Sequence, residues 1–291
     1  VYIKMTVLFK RMAIVGVGLI GGSLAQAVKE KKIVGEVVGV GRNEERLKRA
    51  CESGVIDSYT AQMDDSLGTI DLVVVATPVG MIADLIEKMI PFLKEGTVIT
   101  DVGSVKKSVV EQVEGFMPDT LHFVGGHPIA GTENSGFEHS FPSLFENRKC
   151  ILTPVESTNQ QALDQVQKLW SRVGSIVVCL NCDQHDEILA GVSHLPHVIA
   201  FSMVNCLLAI EGFEENIFSF SAGGFKDFTR IAGSDSAMWR DIALMNREKV
   251  LLIIEHFQCY LNQLKEAIEK GDGETLFSEF HKSRTFKQLM K

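Results

Sequence analysis

The sequence is poor in features that define several other classes of protein. Only seven of its 291 residues are proline, and no low-complexity segment occurs. Its six cysteines follow no disulfide framework spacing: Cys51, Cys150, Cys179, Cys182, Cys206 and Cys259. Cys179 and Cys182 form a lone C-x-x-C without the second pair of a zinc site, so we interpret them as buried or idle thiols. This cysteine usage favours a reducing compartment, and we expect a cytoplasmic protein.

Positive charge and long apolar runs are also scarce. The chain has 29 Lys and Arg against 37 Asp and Glu, a formal net charge of −8. That balance argues against a general nucleic-acid surface or an anionic-membrane surface. It is compatible with an anionic small substrate, because a few cationic side chains can act locally. No run of eighteen apolar residues occurs, so the sequence predicts no membrane span.

A glycine-rich loop stands near the start of the chain. An apolar run at residues 12–15 is followed by Gly16, Gly18 and Gly21, spaced as G-x-G-x-x-G, and residues 24–28 have helical composition. The first glycine makes a tight turn, the second admits a pyrophosphate and the third lets helix pack on strand. The loop predicts NAD(P) binding, with Leu19 and Ile20 as further contacts at the helix start.

The end of the second predicted strand, at residues 37–40, bears on the choice of coenzyme. NAD-binding folds usually place an acidic residue there to bond the ribose 2′-hydroxyl, and this chain has Gly41 and Arg42. Arg42 suits a 2′-phosphate, although Glu44 and Glu45 follow and Arg42 is alternatively a solvated residue at a helix start. We expect NADP or NAD, with NADP favoured.

Strands alternate with helices as far as about residue 181. Apolar runs predict strands at residues 71–77, 97–101, 121–124, 150–153 and 175–180, with helices at 81–89 and 160–173. Thr77 and Pro78, where the first of these runs ends, are predicted cofactor contacts. The fold class is therefore α/β, a Rossmann-type doubly wound, mainly parallel sheet over residues 1–181.

From residue 182 to 291 the pattern becomes helical. Residues 185–208, 235–265 and 273–290 have helical period, and glycines at 223, 224 and 233 separate them. We expect an all-helical second domain. By analogy with other dinucleotide-binding proteins, such a domain closes the substrate cleft and often dimerises.

One histidine stands in a special setting. His127 lies between Gly125–Gly126 and Pro128, directly after the apolar run at 121–124. Ligands of parallel sheets bind at the carboxyl ends of the strands, and a histidine held there can exchange a proton near neutral pH. The alternative is a turn with an incidental histidine. We take His127 as a candidate acid–base residue.

Three other places in the chain carry candidate chemistry. Ser104 either caps the helix that follows it or faces the nicotinamide and substrate. His194 and His197, three apart on one helical face, would permit metal binding, but no third ligand is evident and we predict no metal. Lys226 and Arg230, four apart, would present two cations to a dicarboxylate, or form a surface network with Asp227.

These motifs together resemble the prephenate/arogenate dehydrogenase family of tyrosine biosynthesis. The similar segments are GVGLIGGS at 16–23, DVGSVK at 101–106, GGHPIAGT at 125–132, VSHLPH at 192–197, GGFKDFTRIA at 223–232 and MWRD at 238–241. The resemblance covers nearly the whole chain from about residue 11. It implies oxidative decarboxylation of prephenate, or of arogenate, by a Rossmann domain joined to a helical domain that forms a homodimer.

The resemblance also implies roles for residues. His127 is the base toward the C4 hydroxyl, Ser104 fixes His127 and the nicotinamide, and Arg230 holds the ring carboxylate. Further substrate contacts implied are His197, Lys226 and Thr132. Gly41 departs from the acid of NAD-preferring members. Three alternatives stay open: an arogenate-specific enzyme, a β-hydroxyacid-type dehydrogenase (which would need a catalytic lysine in its second domain), and a non-catalytic NAD(P)-binding sensor.

Overall fold

The structure, a computed structural model of the chain, describes residues 7–132, 134–210 and 219–289. Eight strands in this described part form one sheet in the order β3-β2-β1-β4-β5-β6-β7-β8. They are β1 (Phe9–Val15), β2 (Val34–Val40), β3 (Ser58–Thr60), β4 (Leu72–Val75), β5 (Val98–Asp101), β6 (His122–Pro128), β7 (Lys149–Thr153) and β8 (Ile176–Cys179). The predicted doubly wound sheet is confirmed.

All neighbouring strands run parallel except β6 and β7, which are antiparallel. The strand order reverses between β1 and β4, where Met12 pairs with Leu72 and Val15 with Val75. Every residue of β4 is buried, which explains its uninterrupted run of β-branched and leucine side chains. This switch point between β1 and β4 is where an open α/β sheet leaves a crevice for a ligand.

Helices cover both faces of the sheet. They are α1 (Leu19–Glu30), α2 (Glu44–Glu52), α3 (Ile82–Met89), α4 (Lys107–Glu114) and α5 (Gln160–Arg172). One apolar cluster joins α1, α2 and α5 to the sheet through side chains such as Leu24, Leu47 and Trp170. A second cluster joins α3 and α4 to the other face, with Ile86 and Val113 at its centre.

After β8 the described chain is helical, as the sequence predicts. The elements are α6 (Cys182–Leu189), a π-helical turn (Ala190–His194), α7 (Leu195–Leu208), α8 (Gly223–Thr229), a 3-10 turn (Arg230–Gly233) and α9 (Ser236–Met245). The expectation that Gly223 and Gly224 only separate helices is wrong, because α8 begins at Gly223 with Ala222 in the N-cap position. Ile242 of α9 belongs to the core beside α3 and α4.

The chain divides by its contacts into Val1–Asn246 and Arg247–Lys291. The second unit contains α10 (Arg247–Glu269) and α11 (Gly273–Leu289), which pack on each other. In this division α6 and α9 belong to the first unit, where they pack with the sheet domain. A domain boundary at residue 181 stays a prediction.

Within the part of the chain that the structure describes, Cys182–Leu208 is long and apolar enough to cross a membrane by length and composition. A helix of a soluble protein can meet the same criterion. This stretch also carries His185 and Asp186, which are buried and bonded to residues around β5 and β6. We therefore interpret it as part of the candidate site, and the absence of membrane contact stays a prediction.

Candidate active site

The glycine loop between β1 and α1 has the shape that a pyrophosphate requires. Gly16 has φ +93°, and a Cβ there would lie 2.7 Å from the carbonyl oxygen of Ala76. A Cβ on Gly21 would lie 2.4 Å from the carbonyl oxygen of Gly16, so the helix packs too closely for a side chain. A Cβ on Gly18 would meet no atom within 4 Å. No side chain caps α1 at Gly18, so its first amides, including those of Leu19 and Ile20, are oriented to hold a phosphate.

A cavity of about 880 Å³ extends from this loop over the ends of β1, β2 and β4. Its lining includes five of the predicted cofactor residues: Gly16, Gly18, Arg42, Thr77 and Pro78. Arg42 is exposed and precedes Asn43, whose Oδ1 accepts a hydrogen bond from the amide of Arg46 at 2.9 Å and so caps α2. The crevice therefore has the position and the glycine loop expected of a dinucleotide site, and Arg42 lies in its lining.

A buried ion pair supports the backbone next to His127. Lys106 and Asp101 are both 0% exposed, and the Lys106 Nζ binds the Asp101 carboxylate. The same Nζ donates to the carbonyl oxygen of Gly126 at 2.9 Å, and the amide of Gly126 donates to Oδ1 of Asp101 at 3.0 Å. The amide of Gly103 donates to Oδ2 of Asp101 at 2.9 Å. The pair thus fixes the peptide before His127 and the loop that leads to Ser104.

Glycine is required before His127 because β5 passes close by. A Cβ on Gly126 would lie 2.9 Å from the carbonyl oxygen of Asp101. His127 itself belongs to β6, where it pairs with Ile151 of β7, and its side chain is partly buried. His127 is therefore held by the sheet at the carboxyl end of a strand, and the alternative that it lies in a turn is wrong. Its role as an acid–base residue stays a prediction.

Ser104 lies partly buried in the loop between β5 and α4. The alternative that Ser104 caps α4 is wrong, because Lys106 occupies the N-cap position and has no side-chain cap. The carboxylate of Asp186 takes that role from α6: the amide of Lys106 donates to Oδ1 at 2.8 Å, and the amide of Lys107 donates to Oδ2 at 3.0 Å. Ser104 therefore lies in the loop ahead of the N-cap position of α4, and its contact with nicotinamide or substrate stays a prediction.

Three histidines from different elements meet at this point. Nδ1 of His127 lies 2.8 Å from Nε2 of His185, and Nδ1 of His185 lies 2.7 Å from Oδ1 of Asp186. Nδ2 of Asn246 donates to the carbonyl oxygen of Asp186 at 2.8 Å and lies 3.1 Å from Nδ1 of His194. Asn246 therefore ties α6 to the π-helical turn that carries His194.

The surroundings keep these imidazoles neutral at pH 7. Burial, followed by the charges of His185, Lys106 and His194, places the pKa of His127 well below its usual 6.5. Burial also lowers the pKa of His194 to about 4. A neutral imidazole has a lone pair available, so His127 can accept a proton across the physiological range.

The predicted substrate residues His197 and Arg230 lie on the helical elements that follow His194. His197 stacks on Trp239, with ring centroids 3.6 Å apart and planes 20° apart, and its Nδ1 lies 2.9 Å from the carbonyl oxygen of Ser193. Arg230 begins the 3-10 turn that packs on α7. Burial lowers the pKa of His197, and the positive charge of Arg230 lowers it further. The structure thus brings His197 and Arg230 together.

Lys226 and Thr132 have different settings. Lys226 is exposed on α8, and Thr132 is exposed in the loop after β6, where its Oγ1 accepts from the amide of Asn134 at 3.2 Å. Their contact with substrate stays a prediction. As for metal, the described residues contain no group of three His, Cys, Asp or Glu arranged to hold an ion.

Sequence reasoning missed several members of this site. Asp101, Lys106, Asp186 and Asn246 are the buried polar residues that support the three histidines. Asp101 and Lys106 stand in the segment at 101–106 that resembles the family, but the sequence indicated no role for either of them. Asp186 stood beside His185 in the sequence, but its partners lie 79 and 80 residues away.

The sheet and its glycine loop define a dinucleotide-binding oxidoreductase, and comparisons with known proteins agree. The family description "prephenate dehydrogenase, nucleotide-binding domain" matches residues 24–179, and "prephenate dehydrogenase, dimerization domain" matches residues 181–282. The chain belongs to the prephenate dehydrogenase family. It is 36% identical to cyclohexadienyl dehydrogenase of Zymomonas mobilis, over 97% of each chain. It is 34% identical to prephenate dehydrogenase of Bacillus subtilis, over 94% of this chain and 74% of that one.

Solved structures give the same result. Prephenate dehydrogenase of Aquifex aeolicus, in complex with hydroxyphenyl propionate and NAD+, has a TM-score of 0.92 and 38% identity, covering 97% of this chain and 98% of that one. Arogenate dehydrogenase of Synechocystis has a TM-score of 0.82 and 25% identity, covering 97% and 100%. The prediction of this family from the six motifs is confirmed.

Proposed function

We propose that this protein oxidises and decarboxylates prephenate to 4-hydroxyphenylpyruvate with a nicotinamide cofactor. The observation that carries the proposal is the group formed by His127, His194, His197 and Arg230. His127 is linked to His194 through His185, Asp186 and Asn246, the rings of His194 and His197 both contact Trp239, and the turn that begins with Arg230 packs on α7. Prephenate has chemical groups that match this group of side chains. It has a hydroxyl at C4 for a base and a ring carboxylate at C1 for a guanidinium.

When bound, the cofactor supplies a hydride acceptor for C4 of the substrate. His127 accepts the proton of the C4 hydroxyl as hydride leaves C4, so that C4 becomes a carbonyl carbon. The electron pair of the bond from C1 to its carboxylate then enters the ring, and CO2 leaves. His127 returns its proton to the oxygen on C4, which gives the phenol and restores the neutral imidazole.

Arg230 and the neighbouring residues hold the substrate. A guanidinium binds a planar carboxylate with two parallel hydrogen bonds, and that contact must loosen as CO2 forms. Ser104, in the loop fixed by Asp101, would orient the hydroxyl and His127 relative to the nicotinamide. His197, Lys226 and Thr132 are proposed contacts to the side chain of the substrate. Orientation of this kind accounts for much of the rate enhancement in such a cleft.

The direct test of the base is His127→Asn. We expect kcat to fall by about 10²–10⁴, the usual contribution of general acid–base catalysis, while the substrate KM changes much less. A kcat within a few-fold of the wild type would show that His127 is not the base. His122→Gln, which alters a histidine at the other end of the same strand, is the matched control and should leave kcat unchanged.

Arogenate is the second candidate substrate, because the chain is also similar to an arogenate dehydrogenase. Arogenate carries an amine where prephenate carries a keto group, so the two differ only away from the reacting carbons. Steady-state rates for prephenate and arogenate, each with NAD+ and NADP+, separate the candidates. Cofactor binding without turnover of either substrate would instead favour the sensor.

For the coenzyme we propose NADP+. Gly41 stands where an acid would oppose a 2′-phosphate, and Arg42 is exposed in the lining of the same cavity. Glu44 and Glu45 begin α2 immediately afterwards, where their negative charge favours the helix N-terminus, and Glu44 also lines the cavity.

For the assembly we propose a homodimer formed through the helical region. Large apolar side chains on α10 and α11 are exposed, among them Leu261, Ile268, Phe277 and Phe280 at 54–71%. Exposed apolar surface of this extent is typical of an interface. The matched family description names a dimerization domain at residues 181–282. Sedimentation should give twice the monomer mass of 32.1 kDa.

We further propose a cytoplasmic location without nucleic-acid partners. The net charge of −8 disfavours phosphate backbones. The six cysteines are all free in the structure, as a reducing compartment requires.

A further inference from the structure

One residue outside the proposed catalytic set lies in contact with its base, and a second lies in contact with that residue. His185, on α6, is 0% exposed, and its Nε2 lies 2.8 Å from Nδ1 of His127 with the ring planes at 62°. Its other nitrogen, Nδ1, lies 2.7 Å from Oδ1 of Asp186. The three side chains therefore form one continuous line of hydrogen bonds that ends on a carboxylate.

The hydrogen positions along this line follow from the acceptors of Asp186. Both of its oxygens accept backbone N–H groups at the start of α4, from Lys106 at 2.8 Å and Lys107 at 3.0 Å. Because both of its oxygens accept backbone N–H groups, Asp186 serves this line as a hydrogen-bond acceptor. Nδ1 of His185 must therefore carry a hydrogen.

The next step fixes the hydrogen of His127. Burial opposes a charge on His185 and lowers its pKa, against the raising effect of the bond to Asp186. In neutral His185 with hydrogen on Nδ1, Nε2 is an acceptor. Nδ1 of His127 then has to be the donor. A neutral His127 with hydrogen on Nδ1 keeps its lone pair on Nε2.

We infer that His185 and Asp186 are positioning residues that fix His127 as the Nδ1–H tautomer, which makes Nε2 the atom that accepts the substrate proton. This inference rests on the proposed function for the identity of that proton. After transfer, both nitrogens of His127 carry hydrogen, and the bond from Nδ1 to His185 persists. No proton leaves Asp186 or reaches it. The carboxylate stabilises the imidazolium through His185, as an orienting acid does in other acid–base sites.

Other charged or titratable groups near the line have their own partners. Lys106 is paired with Asp101, and Nδ1 of His194 lies beside Asn246. The charges that act on His127 are those of His185, Lys106 and His194. The charges that act on His185 are those of Lys106, Asp186 and Asp101. Among them only His185 is within hydrogen-bond distance of the His127 ring in the described residues.

The first test is nitrogen-15 spectroscopy of the histidine-labelled wild-type protein, with His127→Asn used to assign the His127 resonances. We expect Nδ1 of His127 to give the shift of a protonated nitrogen and Nε2 that of an unprotonated one at pH 7.5. The reverse pattern, with hydrogen on Nε2 of His127, would overturn the inference. This measurement needs no turnover, so it stands or falls separately from the proposed substrate.

The second test is kinetic. His185→Leu removes the acceptor, and we expect kcat to fall about 10- to 100-fold with KM values nearly unchanged, the usual cost of losing an orienting partner. His185→Gln keeps an amide oxygen near the position of Nε2, so kcat should recover to within about fivefold of the wild type. His122→Gln should change neither kcat nor the His127 spectrum. Equal losses in the Leu and Gln variants, with an unchanged spectrum, would assign His185 to folding alone.

Discussion

Lys106 and Asp101 form an ion pair in which neither side chain is exposed to solvent. The Lys106 ammonium also donates to the carbonyl oxygen of Gly126, and the Asp101 carboxylate accepts hydrogen bonds from the amides of Gly103 and Gly126. Two strands and the loop after one of them are thus held by a single buried pair. Because each charge compensates the other, the loss of one leaves an uncompensated charge in the core.

We therefore expect Lys106→Met to lower the free energy of unfolding by about 3–5 kcal/mol, as measured by chemical denaturation. Lys48→Met is the matched control. Lys48 and Glu52 are 3.9 Å apart and 63% exposed, and such pairs contribute about 0.5 kcal/mol or less. A loss below about 1 kcal/mol for Lys106→Met would contradict the structural role of the pair.

The pH dependence follows from the lowered pKa of His127, which burial causes first and the neighbouring cations increase. Only neutral His127 is a base, so kcat/KM should be constant above pH 6.5 and fall only below it. The residual activity of His127→Asn should not show this fall of kcat/KM at acid pH. An apparent pKa at or above 6.5 would contradict the burial of this imidazole. By linkage, the unfolded chain takes up this proton first as the pH falls, so the free energy of unfolding should decrease over the same window.

Coenzyme choice can be tested at Arg42. If its guanidinium pairs with the 2′-phosphate, Arg42→Ala should raise the KM for NADP+ and spare that for NAD+. A charged hydrogen bond contributes about 1.5–3 kcal/mol, which is roughly ten- to a hundredfold in affinity. Arg49→Ala, on the helix α2 that follows Arg42 but paired with Glu138, should change neither value. Equal effects on both coenzymes would make Arg42 a helix-start residue only.

The substrate role of Arg230 predicts a separation of kinetics from stability. Arg230→Lys keeps the charge but loses the planar fork, so the KM for prephenate should rise strongly while coenzyme KM holds. The melting temperature should stay within a few degrees, because Arg230 is exposed. Arg148→Lys, at another exposed arginine, is the control. Early melting with an unchanged KM would make Arg230 structural and the proposed substrate pose wrong.

Much of the fold could be predicted from local patterns. The apolar runs at β4 and β5, and the glycine spacing at Gly16, are signals within a few residues of one another. The short strand β3 was missed because its three residues are only partly buried and lack an apolar run. The helix α8 was missed because two glycines begin it.

The support of the site could not be predicted in the same way. His127 and His185 are 58 residues apart, and Asn246 is 60 residues from Asp186. No periodicity connects residues at such separations, since only the tertiary fold brings them together. The motifs around His127, His194 and Arg230 pointed to these residues as candidates, but not to the buried partners that contact them.

The π-helical turn at Ala190–His194 sets the rotational phase between α6 and α7. In an uninterrupted α-helix, His185 and His194 would lie on nearly opposite sides, because nine residues at about 100° each leave them about 180° apart. A wider turn takes up one residue and rotates everything after it by about 100°. Helical phase therefore lets one continuous stretch direct His185, His194 and His197 into a common site.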